Sequence, residues 1–185
     1  MINLYPTFWK ILASSVYKMS RWKPPRPKSS PYITWQGYQT LEQELKELWA
    51  KRAIVTAALS AAAAEGDRSE NAEYIYRKKE LRGIDSRIHY LQKRLPSLTI
   101  VREKPGDDER IYFGAYVTLE NGEGETVIYR IVGPDELDPS RNYISIDSPL
   151  ARALLKKTFD DEVLIKNELM ESRYTVMDID YEAGA

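Results

Sequence analysis

The sequence of 185 residues contains no cysteine and a single histidine, His89. The absence of cysteine excludes disulfide bonds and thiolate metal sites, and it is compatible with a reducing compartment. One histidine excludes zinc sites built from several histidines and makes any serine–histidine–aspartate chemistry depend on that residue. Because His89 follows the apolar position Ile88 and has no suitable local partner, we interpret it as structural.

The chain also lacks an excess of charge of either sign, with 27 lysine and arginine residues against 28 aspartate and glutamate residues. The net charge therefore gives no indication of binding to nucleic acid or to a membrane. A charged partner has to be inferred from local clusters of charge in the sequence. The apolar run at residues 1–16 is interrupted by Lys10, is too short for a bilayer and lacks the basic start of a signal peptide. We therefore expect a cytoplasmic protein with no membrane segment.

Residues 20–31 are rich in proline, serine, lysine and arginine, a composition typical of a disordered tail. Met19 precedes this segment and is a plausible natural start. We therefore assign residues 1–31 to a disordered extension, in which residues 1–18 are either an upstream over-translation or a dispensable segment.

Two later segments predict long helices that pair through a heptad seam. Thr34 suits the N-cap of the first helix and Gly66 its end, and the second resumes near Ser69 and ends before Pro96. Since the seams run in opposite directions from a short connection, we predict an antiparallel coiled-coil hairpin over residues 32–102, on the order of 40–45 Å long. The seam positions are Leu41, Leu45, Leu48, Arg52, Val55, Leu59 and Ala62, then Leu81, Ile84, Ile88, Leu91, Leu95 and Leu98.

The second half changes to a period of two after a charged linker at 103–110. Alternating segments at 111–119 and 126–132 flank the turn sequence NGEG at 121–124 and predict a β-hairpin. Pro149 starts a small helix that Ser148 caps and that ends near Leu155. Further strands are expected at 143–146, 163–166 and 173–180. The fold class is therefore α+β, with a mostly antiparallel sheet domain at 106–182.

The predicted tip of the hairpin, at 65–73, carries two acids with two interpretations. Asp67 and Glu70 have the spacing of a capping box, in which both carboxylates turn back onto backbone N–H groups. Alternatively, they are held in solvent at the end of a rod and complete the active site of another protein. The spacing alone favours the capping box and leaves the second interpretation open.

The second helix is also rich in basic residues, which either form a solvated face or track a phosphate backbone. Two interpretations are also open for Tyr74 and Tyr76 near the tip. They either stack on bases or pack against the alanine-rich end of the first helix. Gly83 lies inside this helix, where glycine costs about 1 kcal/mol relative to alanine and softens the rod.

Two motifs in this order resemble a known family. The sequence GDRSENAEY at 66–74 resembles the tip motif of the bacterial Gre transcript-cleavage factors, and ISIDSPLARALL at 144–155 resembles the signature of their C-terminal domain. The Arg68-Ser69 pair and the IVG sequence at 131–133 are more similar to the GreB branch. The resemblance covers about residues 32–181.

The resemblance implies an FKBP-like C-terminal sheet that docks at the rim of the RNA polymerase secondary channel while the hairpin enters the channel. It implies a monomeric accessory factor, not an enzyme, which stimulates hydrolysis of backtracked RNA near its 3′ end by the polymerase. The protein would then be associated with the nucleoid through the polymerase, and would have no cofactor of its own.

By the same resemblance, Asp67 helps to hold a Mg²⁺ ion jointly with the polymerase, and Glu70 orients or deprotonates the attacking water, as two-metal chemistry requires. The residues implied in contacts with RNA are Arg68, Arg77, Lys78, Lys79 and Arg82. Those implied in polymerase docking are Asp147, Ser148 and Pro149.

Two alternatives belong to other functional classes. One is a regulator that occupies the same channel without promoting cleavage, against which the complete Asp67 and Glu70 pair argues. The other is a prolyl isomerase or chaperone, which rests on analogy between sheet folds alone.

Overall fold

The computed structural model describes residues 28–64, 71–102, 105–166 and 171–182. The predictions for residues 1–27 and for the tip residues Asp67, Arg68 and Glu70 lie outside this part of the chain. In the part that is described, no helix combines the length and the apolar character that a membrane span requires.

Two long helices form the predicted hairpin, α1 at Trp35–Ala64 and α2 at Ala72–Arg94. The Thr34 hydroxyl oxygen accepts a hydrogen bond of 3.0 Å from the Gly37 N–H, so its predicted role as N-cap is confirmed. The predicted start of the second helix near Ser69 is wrong, because α2 begins at Ala72. At its far end, α2 runs into a short 3₁₀ turn at Leu95–Ser97, which contains Pro96.

The seam between α1 and α2 is confirmed, and it divides into two clusters. Near the sheet domain, Leu41, Leu91 and Leu95 pack with Ile33. Farther out, Val55 packs with Ile84 and Ile88. Leu45 and Leu48 are half-buried and contact both clusters, which makes the seam continuous.

Charged pairs flank the seam and link the two arms. Lys51 lies 3.1 Å from Glu80, Arg52 lies 2.6 Å from Asp85, and Arg87 lies 2.7 Å from Glu44, as nitrogen–oxygen distances. Gly83 on the same helix is exposed, with open space where a Cβ would lie. Nothing in its surroundings therefore explains the glycine.

A two-stranded parallel sheet, which was not predicted from the sequence, closes the base of the hairpin. Strand β1, Tyr32–Thr34, enters α1, and β2, Thr99–Val101, follows the turn after α2. Their parallel pairing ties the entrance of the hairpin to its exit. Three-residue strands have too little periodicity to be recognised from sequence.

Five further strands form the sheet domain, in the spatial order β5-β4-β3-β7-β6. All neighbours are antiparallel except β4 and β5, which are parallel. The fold class, an α-helical hairpin followed by a mostly antiparallel sheet, is confirmed. The strands are β3 at Tyr116–Asn121, β4 at Thr126–Val132, β5 at Tyr143–Ser145, β6 at Glu162–Lys166 and β7 at Glu171–Asp180.

The first predicted strand begins too early. Residues 111–115 precede β3 as a loop, because Gly114 has a φ of +90°, which side-chain-bearing residues rarely adopt. Ile111 is nevertheless fully buried, which explains its apolar character. The predicted turn is confirmed at Asn121, whose side-chain oxygen accepts bonds of 2.9 Å from the N–H groups of Glu123 and Glu125.

One face of this sheet packs on the helix α3, Pro149–Leu154, which brings Ala151 and Leu154 into the core. Ser148 caps α3, as predicted, by accepting a bond of 3.1 Å from the Ala151 N–H. The core cluster contains Ile111, Ala115, Val117, Leu119, Ile131, Ala151, Leu154, Val163 and Val176.

Candidate functional site

The outer end of the hairpin is tied together by Asn71. Its side-chain oxygen accepts a 3.0 Å bond from the Tyr74 N–H, so that Asn71 is the N-cap of α2. Its side-chain nitrogen donates a 3.1 Å bond to the carbonyl oxygen of Ala62 on α1. One residue therefore caps one arm and fixes it to the other. The six residues 65–70 connect these two ends.

Asn71 also decides one of the open alternatives. The capping box required Asp67 as the N-cap of the second helix, and that position belongs to Asn71. The signal was present in the sequence, since asparagine is among the preferred N-cap residues. The functional interpretation of Asp67 and Glu70 stays a prediction.

The predicted RNA-contacting residues differ in their surroundings. Arg77 lies between Glu73 and Glu80, at 3.1 and 3.2 Å, and its hydrogen bonds to Glu73 and then Glu80 raise its pKa. The Lys78 nitrogen lies 5.4 Å from the centre of the Tyr74 ring. These two contacts within one helix favour the solvated-face interpretation of both cations.

Lys79 and Arg82 are different. Both are exposed, and neither forms an ion pair with a residue in the described ranges. Ile75 and Tyr76 nearby are 52% and 61% exposed. The side of α2 near the tip thus combines free cations with exposed apolar groups, a surface suited to a partner that carries phosphates and flat bases.

The predicted docking residues lie at the start of α3. The Asp147 carboxylate accepts bonds from the N–H and the hydroxyl of Ser30, at 2.8 and 2.7 Å, and the Ser30 contacts lower its pKa. The prediction of disorder up to residue 31 is therefore wrong at Ser30. Ser148 is occupied as the helix cap, while Pro149, the first residue of α3, is exposed.

Two adjacent acids after β4 were not predicted from the sequence. The Glu136 carboxylate accepts bonds from the N–H groups of Thr34 and Gly133, at 3.0 and 2.9 Å, and from the Thr34 hydroxyl. Asp135 accepts from Arg94, at 2.7 Å, and from the Tyr90 hydroxyl. These contacts join both helices of the hairpin to the sheet domain. The only signal was the turn sequence GPDE at 133–136, which we did not interpret.

Metal binding has little support outside the tip. Among the described residues, no three or more histidine, cysteine, aspartate or glutamate side chains are grouped so as to hold an ion. The predicted ligand Asp67 lies outside those residues. Its chemistry fits Mg²⁺, which prefers oxygen ligands and is commonly held by one or two carboxylates from a protein.

Comparisons with known proteins agree with this architecture. Residues 31–100 match the family model described as "Transcription elongation factor, N-terminal", and residues 106–181 match "Transcription elongation factor, GreA/GreB, C-term". Since these matches span most of the chain, the protein belongs to the GreA/GreB family of transcription elongation factors.

The individual relatives refine the branch. Transcription elongation factor GreB of Pseudomonas aeruginosa is 57% identical over 164 residues, 88% of this chain and 98% of the relative. GreB of Haemophilus influenzae is 59% identical over 138 residues, 74% of this chain and 87% of the relative. The predicted similarity to the GreB branch is thus confirmed. The solved structure of GreA factor homolog 1 from Thermus thermophilus is 26% identical, with a TM-score of 0.37, over 80% of this chain and 97% of that chain.

Proposed function

We propose that this elongation factor inserts its hairpin into the secondary channel of RNA polymerase and stimulates the polymerase's own cleavage of backtracked RNA. The observation that carries the proposal is the geometry of the hairpin. Two paired helices, of 30 and 23 residues, connect the sheet domain at one end to the segment with Asp67 and Glu70 at the other. At about 1.5 Å per residue, the longer helix reaches roughly 45 Å.

The acids at the tip are the chemical part of the proposal. Asp67 supplies a carboxylate ligand, and Glu70 orients the attacking water and accepts its proton. The Mg²⁺ ions of the polymerase, when bound, polarise the phosphate and lower the pKa of that water. The factor is accessory because the hydrolysis belongs to the polymerase, and the relatives' description as elongation factors is compatible with this role.

The remaining contacts divide between the two partners of the complex. Lys79 and Arg82, which are exposed on α2, contact the 3′ segment of the backtracked RNA. The segment from Asp147 to Pro149 docks on the polymerase at the rim of the channel. Pro149 is exposed, whereas the Ser148 hydroxyl is occupied in the helix cap and the Asp147 carboxylate by Ser30, so we assign direct contact to Pro149.

The decisive test is the substitution Asp67→Asn, which removes the charge of one ligand and keeps the shape of the side chain. We expect it to leave polymerase binding intact and to abolish stimulated cleavage in a stalled, backtracked complex supplied with Mg²⁺. The length of the RNA on a denaturing gel is the measurement. Asp160→Asn is the matched control, because Asp160 is exposed with a φ of +66°, which asparagine tolerates.

The same experiment separates the proposal from a channel-binding regulator. A regulator would compete with other channel-binding proteins for the polymerase, and the wild-type chain would leave the RNA at full length. Unimpaired cleavage by the Asp67→Asn variant would remove the role assigned to that residue.

A further inference from the structure

Two adjacent carboxylates hold the hairpin to the sheet domain, and we call Asp135 and Glu136 the carboxylate clasp. Glu136 binds the first helix. One of its oxygens accepts from the N–H groups of both Thr34 and Gly133, and the other accepts from the Thr34 hydroxyl. That hydroxyl in turn accepts from the Gly37 N–H as the cap of α1. The start of α1 and the end of β4 are therefore fixed to one side chain.

Asp135 binds the second helix. Its two oxygens accept from the Arg94 guanidinium, at 2.7 Å, and from the Tyr90 hydroxyl, one turn away on α2. The pair is sheltered, since the side chains of Arg94 and Asp135 are 14% and 8% exposed. The Arg94 guanidinium also donates to the carbonyl oxygen of Ser30. Each member of the clasp thus holds a different arm of the hairpin.

The junction is closely packed at two glycines, Gly37 and Gly133. A Cβ atom on Gly37 would lie 2.1 Å from a Glu136 carboxylate oxygen. A Cβ atom on Gly133 would lie 2.2 Å from the carbonyl oxygen of Tyr32. Both distances are far shorter than a van der Waals contact, so the two glycines allow the backbone and the carboxylate to approach this closely.

We propose that the carboxylate clasp is a positioning device, which sets the direction of the hairpin relative to the sheet domain and so places the tip in the polymerase active site. Because the arm is about 45 Å long, a rotation of about 10° at its base moves the far end by roughly 8 Å. A displacement near 1 Å can already cost about 100-fold in rate. This inference rests on the proposed function and assigns the clasp no contact with RNA or metal.

The substitution Gly37→Ala tests the clasp against a matched control, Gly83→Ala. Alanine favours a helix interior over glycine by about 1 kcal/mol, a value that applies to Gly83, whereas Gly37 lies in the first turn of α1. At Gly37 the new methyl group displaces the Glu136 carboxylate, whereas at Gly83 it meets no atom within 4 Å. If the clasp has no positioning role, both substitutions leave the hairpin in place. The clasp predicts that only Gly37→Ala moves the hairpin.

Two measurements on the full chain are required. Because the protein has no cysteine, spin labels attached to Ala57→Cys on α1 and Thr126→Cys on β4 report one distance distribution. We expect Gly37→Ala to shift or broaden this distribution by several ångströms, because a small rotation at the base of the hairpin becomes a larger displacement along the arm. In backtracked complexes, Gly37→Ala should lower stimulated cleavage about tenfold or more. It should leave polymerase binding unchanged. Gly83→Ala changes neither quantity.

Two substitutions of Glu136 complete the series. Glu136→Ala removes all three acceptor contacts and gives the same result as Gly37→Ala, while Glu136→Gln keeps one acceptor oxygen and restores part of the activity. If Glu136→Ala fails to fold by circular dichroism, the two glycine substitutions decide. Distances in Gly37→Ala that match Gly83→Ala overturn the clasp, and so does a changed distance with undiminished cleavage. If the wild-type chain stimulates no cleavage, the proposed function fails, while the distances still test the clasp.

Discussion

The hairpin and the sheet domain are stabilised in different ways. The sheet domain has one contiguous core of nine residues, none more than 4% exposed. Seven buried residues of the hairpin and its base form two clusters, of four and three, flanked by charged pairs in solvent. A core of the first kind fixes its own shape, whereas a single seam fixes only the pairing of two helices. The direction of the hairpin therefore has to come from its base.

The hairpin also changes along its length. At the base, Ile33 and Leu91 are fully buried, and the clasp residues add polar contacts. Toward the tip, the last residue of α1 with a buried side chain is Ala62, and its neighbours are alanines. Small side chains keep the end of the arm narrow and leave little apolar area to bury. The molecule thus concentrates its specific contacts far from the acids that we propose to act.

The largest expected effect breaks the junction between the two regions. Asp135→Ala leaves the Arg94 guanidinium sheltered without its carboxylate, and we expect a loss of about 4 kcal/mol in the free energy of unfolding. Chemical denaturation measures this loss. Glu123→Ala, in the exposed turn between β3 and β4, is the control and should change stability by less than about 0.5 kcal/mol.

A double substitution checks the cause of that loss. When Asp135→Leu is combined with Arg94→Met, no unpaired charge remains, and most of the stability should return. A double variant as unstable as Asp135→Ala would contradict an electrostatic origin and indicate lost packing at the base.

A matched pair of core substitutions compares the two regions directly. Val117 in the sheet core is fully buried, and Val55 in the hairpin is 3% exposed. We expect Val117→Ala to cost about 3 kcal/mol and Val55→Ala about half as much, because the helices of a hairpin can close around a smaller side chain. Denaturant unfolding followed by circular dichroism measures both. Equal losses would show that the seam packs as specifically as the sheet core.

Much of the fold could be predicted from sequence because its signals are local. The heptad seam, the NGEG turn and the Ser148 cap all depend on residues within a few positions of each other. The same is true of β4, whose predicted range of 126–132 equals the observed Thr126–Val132. The family, too, is recognisable from a continuous motif at 66–74, which needs no contact between distant residues.

The features that were missed depend on contacts distant in sequence. The pairing of β1 with β2 joins Ile33 to Ile100, and the bonds of Glu136 to Thr34 span 102 positions. No periodicity records such contacts. Asp135 and Glu136 are ordinary turn residues by composition, so that only the packed structure shows which helix each one holds. The N-cap role of Asn71 was missed for another reason. Its capping signal was local, but Asp67 was preferred as the cap of the second helix.

The smallest expected effect concerns an ion pair that has the bond lengths of the Arg94–Asp135 pair but is exposed to solvent. Arg87 donates two bonds to the Glu44 carboxylate, both 2.7 Å long, the same distance as between Arg94 and Asp135. The Arg87 and Glu44 side chains, however, are 42% and 34% exposed, so water and salt screen the pair.

A double-mutant cycle with Arg87→Ala and Glu44→Ala should therefore give a coupling of about 0.5 kcal/mol at low salt. The coupling should fade toward about 1 M salt, where the Debye length falls to about 3 Å. The cycle is read from unfolding curves at the two salt concentrations. A coupling well above 1 kcal/mol that persists at high salt would mean that the exposed arm is held as firmly as its base. Equal bond lengths with unequal energies would instead place the difference between the two regions in burial, not in geometry.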